Sequence, residues 1–200
     1  MKAATDHLLQ ADPIMAAIIK RVGPCRLTPR EPTFETLARS ITFQQLSGKA
    51  AATIFERLRK AVGKRFTPTA FLRLSEEELR ACGLSRQKIA ALTDLAMQVA
   101  SRKISFAKLR ELEDLAVIES LSQVRGVGVW TVQMFLMFAL ERPNVMPTGD
   151  LGIRNAIRKA YGLEAMPTPA EVLKYAEKWH PYCTFASWYL WRSLEGPAAL

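Results

Sequence analysis

Apolar positions recur along this chain at helical spacing, in runs that stay short. Ile14, Ala17, Ile18 and Val22 line one face behind Asp12-Pro13, an N-cap with proline at the first helical position, and Gly23-Pro24 closes that first helix. Over residues 33–62 the spacing returns at Phe34, Leu37 and Ile41 and again at Ala51, Ile54, Phe55 and Leu58. A polar patch, Gln44-Gln45 and Ser47-Gly48, breaks that region in the middle. Ser75-Glu76-Glu77-Glu78 is a capping box for a short helix that Gly83 ends, and residues 85–101 carry Ile89, Leu92, Ala96 and Val99 as the next helix. Further helices are predicted over 150–161, over 169–178 behind a Thr168 cap, and over 181–194. No sustained strand alternation, internal repeat or low-complexity tract appears, so the chain reads as helical almost throughout.

One connection stands apart. Leu115, Ile118 and Leu121 recur at helical spacing and stop at Val124, Arg125-Gly126-Val127-Gly128 interrupts, and an apolar stretch restarts at Val129. Two glycines a residue apart permit positive φ and leave no side chain above the backbone. Successive N–H groups can then face a phosphate at the second helix's N-terminus. The plainer alternative is a helix-helix connection that merely needs glycine.

Charge favours the phosphate. Twenty-eight Lys plus Arg against 19 Asp plus Glu give a net +9, which makes a polyanion the expected partner, although a basic surface with no partner has the same composition. With 200 residues and 49% hydrophobic composition the chain buries a real core, as one large domain or two small lobes sharing a cleft. Charges interrupt every apolar run short of the roughly 20 residues a membrane span needs, and MKAATDHLLQ lacks the apolar stretch of a signal peptide. No membrane association is expected, and a cytoplasmic or nuclear location follows. Cys25, Cys82 and Cys183 are odd in number and far apart, with only His7 and His180 beside them, so they read as free thiols rather than a disulfide framework or a zinc site.

Four segments in order resemble the helix-hairpin-helix (HhH-GPD) DNA glycosylase superfamily, specifically its 3-methyladenine DNA glycosylase II branch. They are LARSITFQQLSGKAA at 37–51, VRGVGVWTVQMFLMFAL at 124–140, MPTGDLGIRNAI at 146–157 and WHPYCTFASWYLWR at 179–192; the resemblance covers residues 33–194. It implies an all-α fold of two helical lobes with the active-site cleft between them. The chain would be a single glycosylase unit over 1–200, with approximate lobes 36–145 and 1–35 plus 146–200. The leading residues would only complete the helical core.

The resemblance also implies roles. Asp150 falls on the catalytic aspartate, whose carboxylate stabilises the positive charge that builds on deoxyribose as an N-glycosidic bond breaks, or orients the attacking water. Taken alone, an Asp before Leu151-Gly152-Ile153 is simply a helix N-cap. Trp130 occupies the position where lyase-type members carry a Schiff-base lysine, which implies a monofunctional enzyme that leaves the strand intact. The four-cysteine cluster of the iron–sulfur members is missing, which sets aside endonuclease III and adenine-mismatch relatives. No cofactor and no metal is expected.

Gln45 and Leu46 match the wedge that fills the gap left by a flipped base, against the alternative that Gln44 and Gln45 cap or hydrogen-bond within the core. Phe43, Trp130 and Trp188 are candidates for an aromatic pocket, where a cationic alkylated purine gains roughly 0.5–2 kcal/mol per good cation–π contact. Core packing is the alternative for each, and Trp191 and Tyr189 are assigned to the core. Arg125, Gly126, Val127 and Gly128 would bind backbone phosphates. His180 and Cys183 depart from the basic residues more often found at their positions, which bears on phosphate contact or substrate range.

The function expected is removal of alkylated purines, chiefly 3-methyladenine, from double-stranded DNA by a monomer. Other lesions remain open: N1-methyladenine, ethenoadenine, hypoxanthine or an oxidised purine. So do two non-enzymatic readings, a damaged-DNA binding protein and a basic helical protein-interaction domain.

Overall fold

The computed structural model describes residues 1–195, and among them every regular element is a helix. The chain divides into two compact units, one formed by Met1–Pro29 with the chain from Leu136 onward, the other by Arg30–Phe135. In chain order, α1 (Lys2–Ala11) and α2 (Pro13–Val22) open the first unit. The second holds α3 (Phe34–Phe43), α4 (Gly48–Val62), α5 (Pro68–Phe71), α6 (Glu76–Ala81), α7 (Arg86–Ala100), α8 (Phe106–Leu109) and α9 (Asp114–Ser122). The division falls within α10 (Val129–Phe138), after which α11 (Leu151–Ala160), α12 (Pro169–Ala176), a 3₁₀ turn (Glu177–Trp179) and α13 (Cys183–Ser193) complete the first unit.

Three helices escape the sequence pattern. The helix expected first is preceded by α1, which buries only Ala4 and Leu8 and has no capping side chain at Met1, so neither periodicity nor a cap announces it. The other two, α5 and α8, are four residues long, started by Thr67 and Ser105. The helix expected over 169–178 tightens into the 3₁₀ turn at its end, and Trp179 there is fully buried.

In the second unit α7 is central: Ile89, Ala91, Leu92, Leu95 and Ala96 are buried, and α3, α5 and α6 pack on it. Phe34 anchors an aromatic cluster with Phe66 and Phe71, and Phe55 joins through Phe66. In the first unit α13 is buried along most of its length, from Cys183 to Leu190, and α2 and α11 pack against it.

Asp12 ties the first unit together. It is fully buried, and its Oδ1 caps α2 by accepting from the amides of Ile14 at 3.0 Å and Met15 at 3.3 Å. Oδ2 accepts from the Trp179 indole at 3.0 Å and from the Tyr161 hydroxyl, and the Lys178 ammonium lies 3.1 Å away. Burial alone would raise the carboxyl's pKa, but these donors, Tyr161 first, outweigh it and hold it below the ordinary value. Burial and the Asp12 carboxylate push the Tyr161 hydroxyl the other way, upward.

Asp12→Asn should therefore destabilise the protein by about 3 kcal/mol at neutral pH, because an amide leaves buried donors without a charged acceptor. A carboxyl with a depressed folded pKa contributes its stability fully above the unfolded value near about 4 and loses it as pH falls toward the folded one. Urea unfolding of both proteins should show a gap that is constant from pH 7 to 5 and shrinks below about pH 4; a gap independent of pH would reject the ionic role.

Candidate active site

The hairpin is built in the second unit. The Val124 amide donates to Leu121 O at 3.1 Å, Val127 to Val124 O at 3.0 Å, and Val132 to Gly128 O at 3.2 Å, which turns the chain from α9 into α10. Val124 and Val127 are buried, whereas Arg125, Gly126 and Gly128 are exposed, so two valines moor the turn with its backbone outward. Gly126 sits at φ +72°, and a Cβ there would lie 3.4 Å from the Ala91 Cβ. At Gly128 a Cβ would meet open space. From α7, Asp94 Oδ2 accepts from the Arg125 amide at 2.8 Å and from Gln98 Nε2 at 3.0 Å, a charge-assisted clasp on the entry to the turn. The first amides of an α-helix have no intrahelical acceptor and point past its N-terminus, which in α10 is the end that follows the glycines.

The predicted wedge is a loop between α3 and α4 in the same unit. Lys88 Nζ donates to the carbonyls of Ile41 at 2.9 Å, Thr42 at 2.8 Å and Gln44 at 2.8 Å, closing the C-terminus of α3. Burial lowers the pKa of this amine. Gln44 Nε2 donates to Gly126 O at 3.1 Å and Thr131 Oγ1 at 2.9 Å, which fastens the loop to the hairpin. Gln45 and Leu46 are exposed, Gln45 in the left-handed region at φ +55°, and Ser47 caps α4.

In the first unit Asp150 is the N-cap of α11. Its Oδ1 accepts from the Ile153 amide at 2.8 Å and from Trp191 Nε1 at 2.9 Å. Trp191 packs against the core of the first unit, half-buried and with its ring stacked on Phe138 at 6.2 Å, and its indole N–H also orients the carboxylate. Gly152 lets the two meet: a Cβ there would stand 2.9 Å from Asp150 Oδ1 and 3.0 Å from Trp191 Cδ1, so the carboxylate or the indole would have to shift.

The segment leading to Asp150 is held by α13. Thr184 Oγ1 donates to Arg142 O at 2.6 Å and accepts from the Val145 amide at 3.1 Å, and the Thr184 amide donates to Pro143 O at 3.0 Å. Ser187 Oγ donates to Met146 Sδ at 3.7 Å. Thr184, Ser187 and Trp191 are spaced three and four apart, so one face of α13 grips the segment and then its aspartate. A Thr and a Ser among the apolar positions of residues 183–191 are the sequence signal for this face.

The pocket candidates differ in exposure. Trp130 is 45% exposed in the first turn of α10. Phe43 is half-buried with the Arg39 guanidinium 3.7 Å over its ring. Trp188 is 7% exposed, belongs to the core of the first unit, and meets Tyr189 edge-on. His180 Nδ1 lies 2.8 Å from Asn144 Oδ1, and Cys183 is buried with its thiol pushed up to about 12 by that burial. Cys183 thus packs inside the first unit and offers nothing to a phosphate.

Comparisons with known proteins identify the family. The family model of the HhH-GPD superfamily base excision DNA repair protein matches residues 38–181. DNA-3-methyladenine glycosylase 1 of Schizosaccharomyces pombe is 38% identical over 193 residues, covering 94% of this chain and 85% of that protein. A solved structure of the S. pombe 3-methyladenine DNA glycosylase in complex with abasic DNA superposes with a TM-score of 0.85 at 39% identity, covering 94% of this chain and 95% of that one. A crystal structure of a DNA-3-methyladenine glycosidase from Bacillus halodurans gives 0.84 at 34% identity, covering 98% of this chain and 90% of that one. This chain belongs to the HhH-GPD superfamily of base excision DNA repair proteins.

Proposed function

We propose that the protein is a monofunctional DNA glycosylase acting as a monomer on double-stranded DNA, hydrolysing the N-glycosidic bond of alkylated purines, 3-methyladenine foremost. The observation that carries this reading is the Asp150 carboxylate, fixed at the N-terminus of α11 by the Ile153 amide and the Trp191 indole. The names of the S. pombe and B. halodurans relatives support the substrate class.

The chemistry needs one carboxylate. As the bond between C1′ and the base nitrogen breaks, its electron pair leaves with the base, and positive charge develops on the deoxyribose. Asp150, already oriented, stabilises that charge with little reorganisation. The cationic base departs neutral, a water oxygen bonds to C1′, and one proton is released to solvent. An alkylated cationic base is the better leaving group, so a modest catalyst removes it and spares normal bases. Trp130 stands where a lyase would carry its amine, so water is the nucleophile and the product is an abasic site in an unbroken strand. The hairpin amides hold backbone phosphate without reading sequence, and Gln45 and Leu46 fill the vacated stack.

Free-base release from methylated duplex, resolved by chromatography, should fall at least about 100-fold in Asp150→Asn, with binding to abasic-site DNA retained and strands uncut. Unchanged release would remove Asp150 from the mechanism, and binding without release by the native protein would favour a non-catalytic damaged-DNA binder. Gly152→Ala should lower single-turnover release about 10-fold without altering DNA affinity, since the added methyl separates Asp150 from Trp191; native release would show that contact to be dispensable. Gly128→Ala has room in the fold but should weaken damaged and undamaged duplex alike, about fivefold by fluorescence anisotropy, because backbone approach is sequence-blind. Selective loss on damaged DNA would contradict the phosphate role.

A further inference from the structure

We infer that Lys88 and Gln44 are positioning residues that set the Gln45-Leu46 loop on the hairpin, so that the two DNA-contacting segments of the second unit move as one body. The inference rests on the reading that this loop enters DNA.

The loop has only four residues, since α3 ends at Phe43 and α4 begins at Gly48. An exposed segment of that kind is ordinarily among the more mobile parts of a fold, and a wedge at variable depth fills a vacated stack poorly. Two contacts remove that freedom at the loop's first residue. The Lys88 ammonium has three donors, and three carbonyls, of Ile41, Thr42 and Gln44, stand 2.8 to 2.9 Å from it. It faces the negative end of α3, where a cation is favourable. The Gln44 side chain then spends its amide on the hairpin, at Gly126 O and Thr131 Oγ1, across 82 and 87 positions of sequence. The next two side chains, Gln45 and Leu46, are left exposed.

A lysine that only closed a helix would not need a neighbouring residue tied to the hairpin; the pairing of the two contacts on Gln44 is what couples loop to turn. Burial lowers the pKa of the Lys88 amine, and the three carbonyls that accept from its charged form work against that cost.

The full-length protein should be compared with Gln44→Met and Lys88→Met, which remove donors without adding charge, with Lys88→Arg as rescue, and with Leu46→Ala as the direct loop variant. Three readouts separate the roles: affinity for undamaged duplex, single-turnover release of 3-methyladenine from methylated DNA, and fluorescence of a 2-aminopurine placed beside a tetrahydrofuran abasic analogue at saturating protein. Gln44→Met and Lys88→Met should bind undamaged duplex within twofold of native, release base at least 10-fold more slowly, and give the 2-aminopurine signal of Leu46→Ala, with Lys88→Arg restoring most of the rate. If Leu46→Ala is slow while Gln44→Met and Lys88→Met keep the native rate and signal, the positioning role is wrong and the loop's entry into DNA stands. If Leu46→Ala itself is native in both, the reading of the loop fails first. Should Lys88→Met lose its melting transition, Gln44→Met alone decides.

Discussion

Every helix end leaves as many as four N–H or four C=O groups without an intrahelical partner, and a chain broken into short helices meets that constraint again and again. Ser47, Thr67, Ser75, Ser85, Ser105 and Thr168 answer it with hydroxyl caps. Three ends are treated differently. Asp12 caps α2 with one oxygen and gathers Trp179, Tyr161 and Lys178 on the other. Lys88 closes the C-terminus of α3 from a neighbouring helix. Asp150 caps α11 and receives the indole of Trp191. At each of these ends a charged side chain satisfies backbone groups and is fixed by the same contacts, and on the proposed reading Asp150 puts that fixed charge to chemical use.

A capping aspartate suits the proposed catalysis because its position is fixed for structural reasons before any substrate arrives. The cap bond sets the carboxylate relative to the α11 axis, and the indole sets its rotation. Thr184 and Ser187 restrain the segment that precedes it. Electrostatic stabilisation of a transition state is effective to the extent that the stabilising group need not reorganise. Here preorganisation comes from one face of a buried helix and from the missing Cβ at Gly152, which lets the acid and its donor meet.

What was legible in the sequence was local. Asp12 and Thr168 as caps, the Ser75 box, and the turn at Gly126 and Gly128 all lie where their neighbours announce them. What was not legible depends on partners distant in sequence. Trp191 resembled any core aromatic because its acceptor lies 41 positions away. Lys88 carries no signal in its own neighbourhood, because the carbonyls it serves are 44 to 47 positions back. For Gln44 an internal hydrogen bond is one of the two sequence readings, and the fold supplies what the sequence cannot, its partners Gly126 and Thr131. The same limit hid the wider role of Asp12, which as a cap alone would have no reason to be fully buried.

The aromatic residues bear on lesion choice in the same way, through what already occupies them. The face of Phe43 under the Arg39 guanidinium is already holding a cation at 3.7 Å, so a cationic purine using that face must displace one attraction of about 0.5–1 kcal/mol to gain another. Trp188 is enclosed by core side chains and has Arg192 5.4 Å from its ring centre. Trp191 lies half-buried beside the proposed catalytic carboxylate. It is committed in the same way, its ring stacked on Phe138 and its N–H given to Asp150, so on the proposed reading its first task is to hold the carboxylate rather than to meet the base.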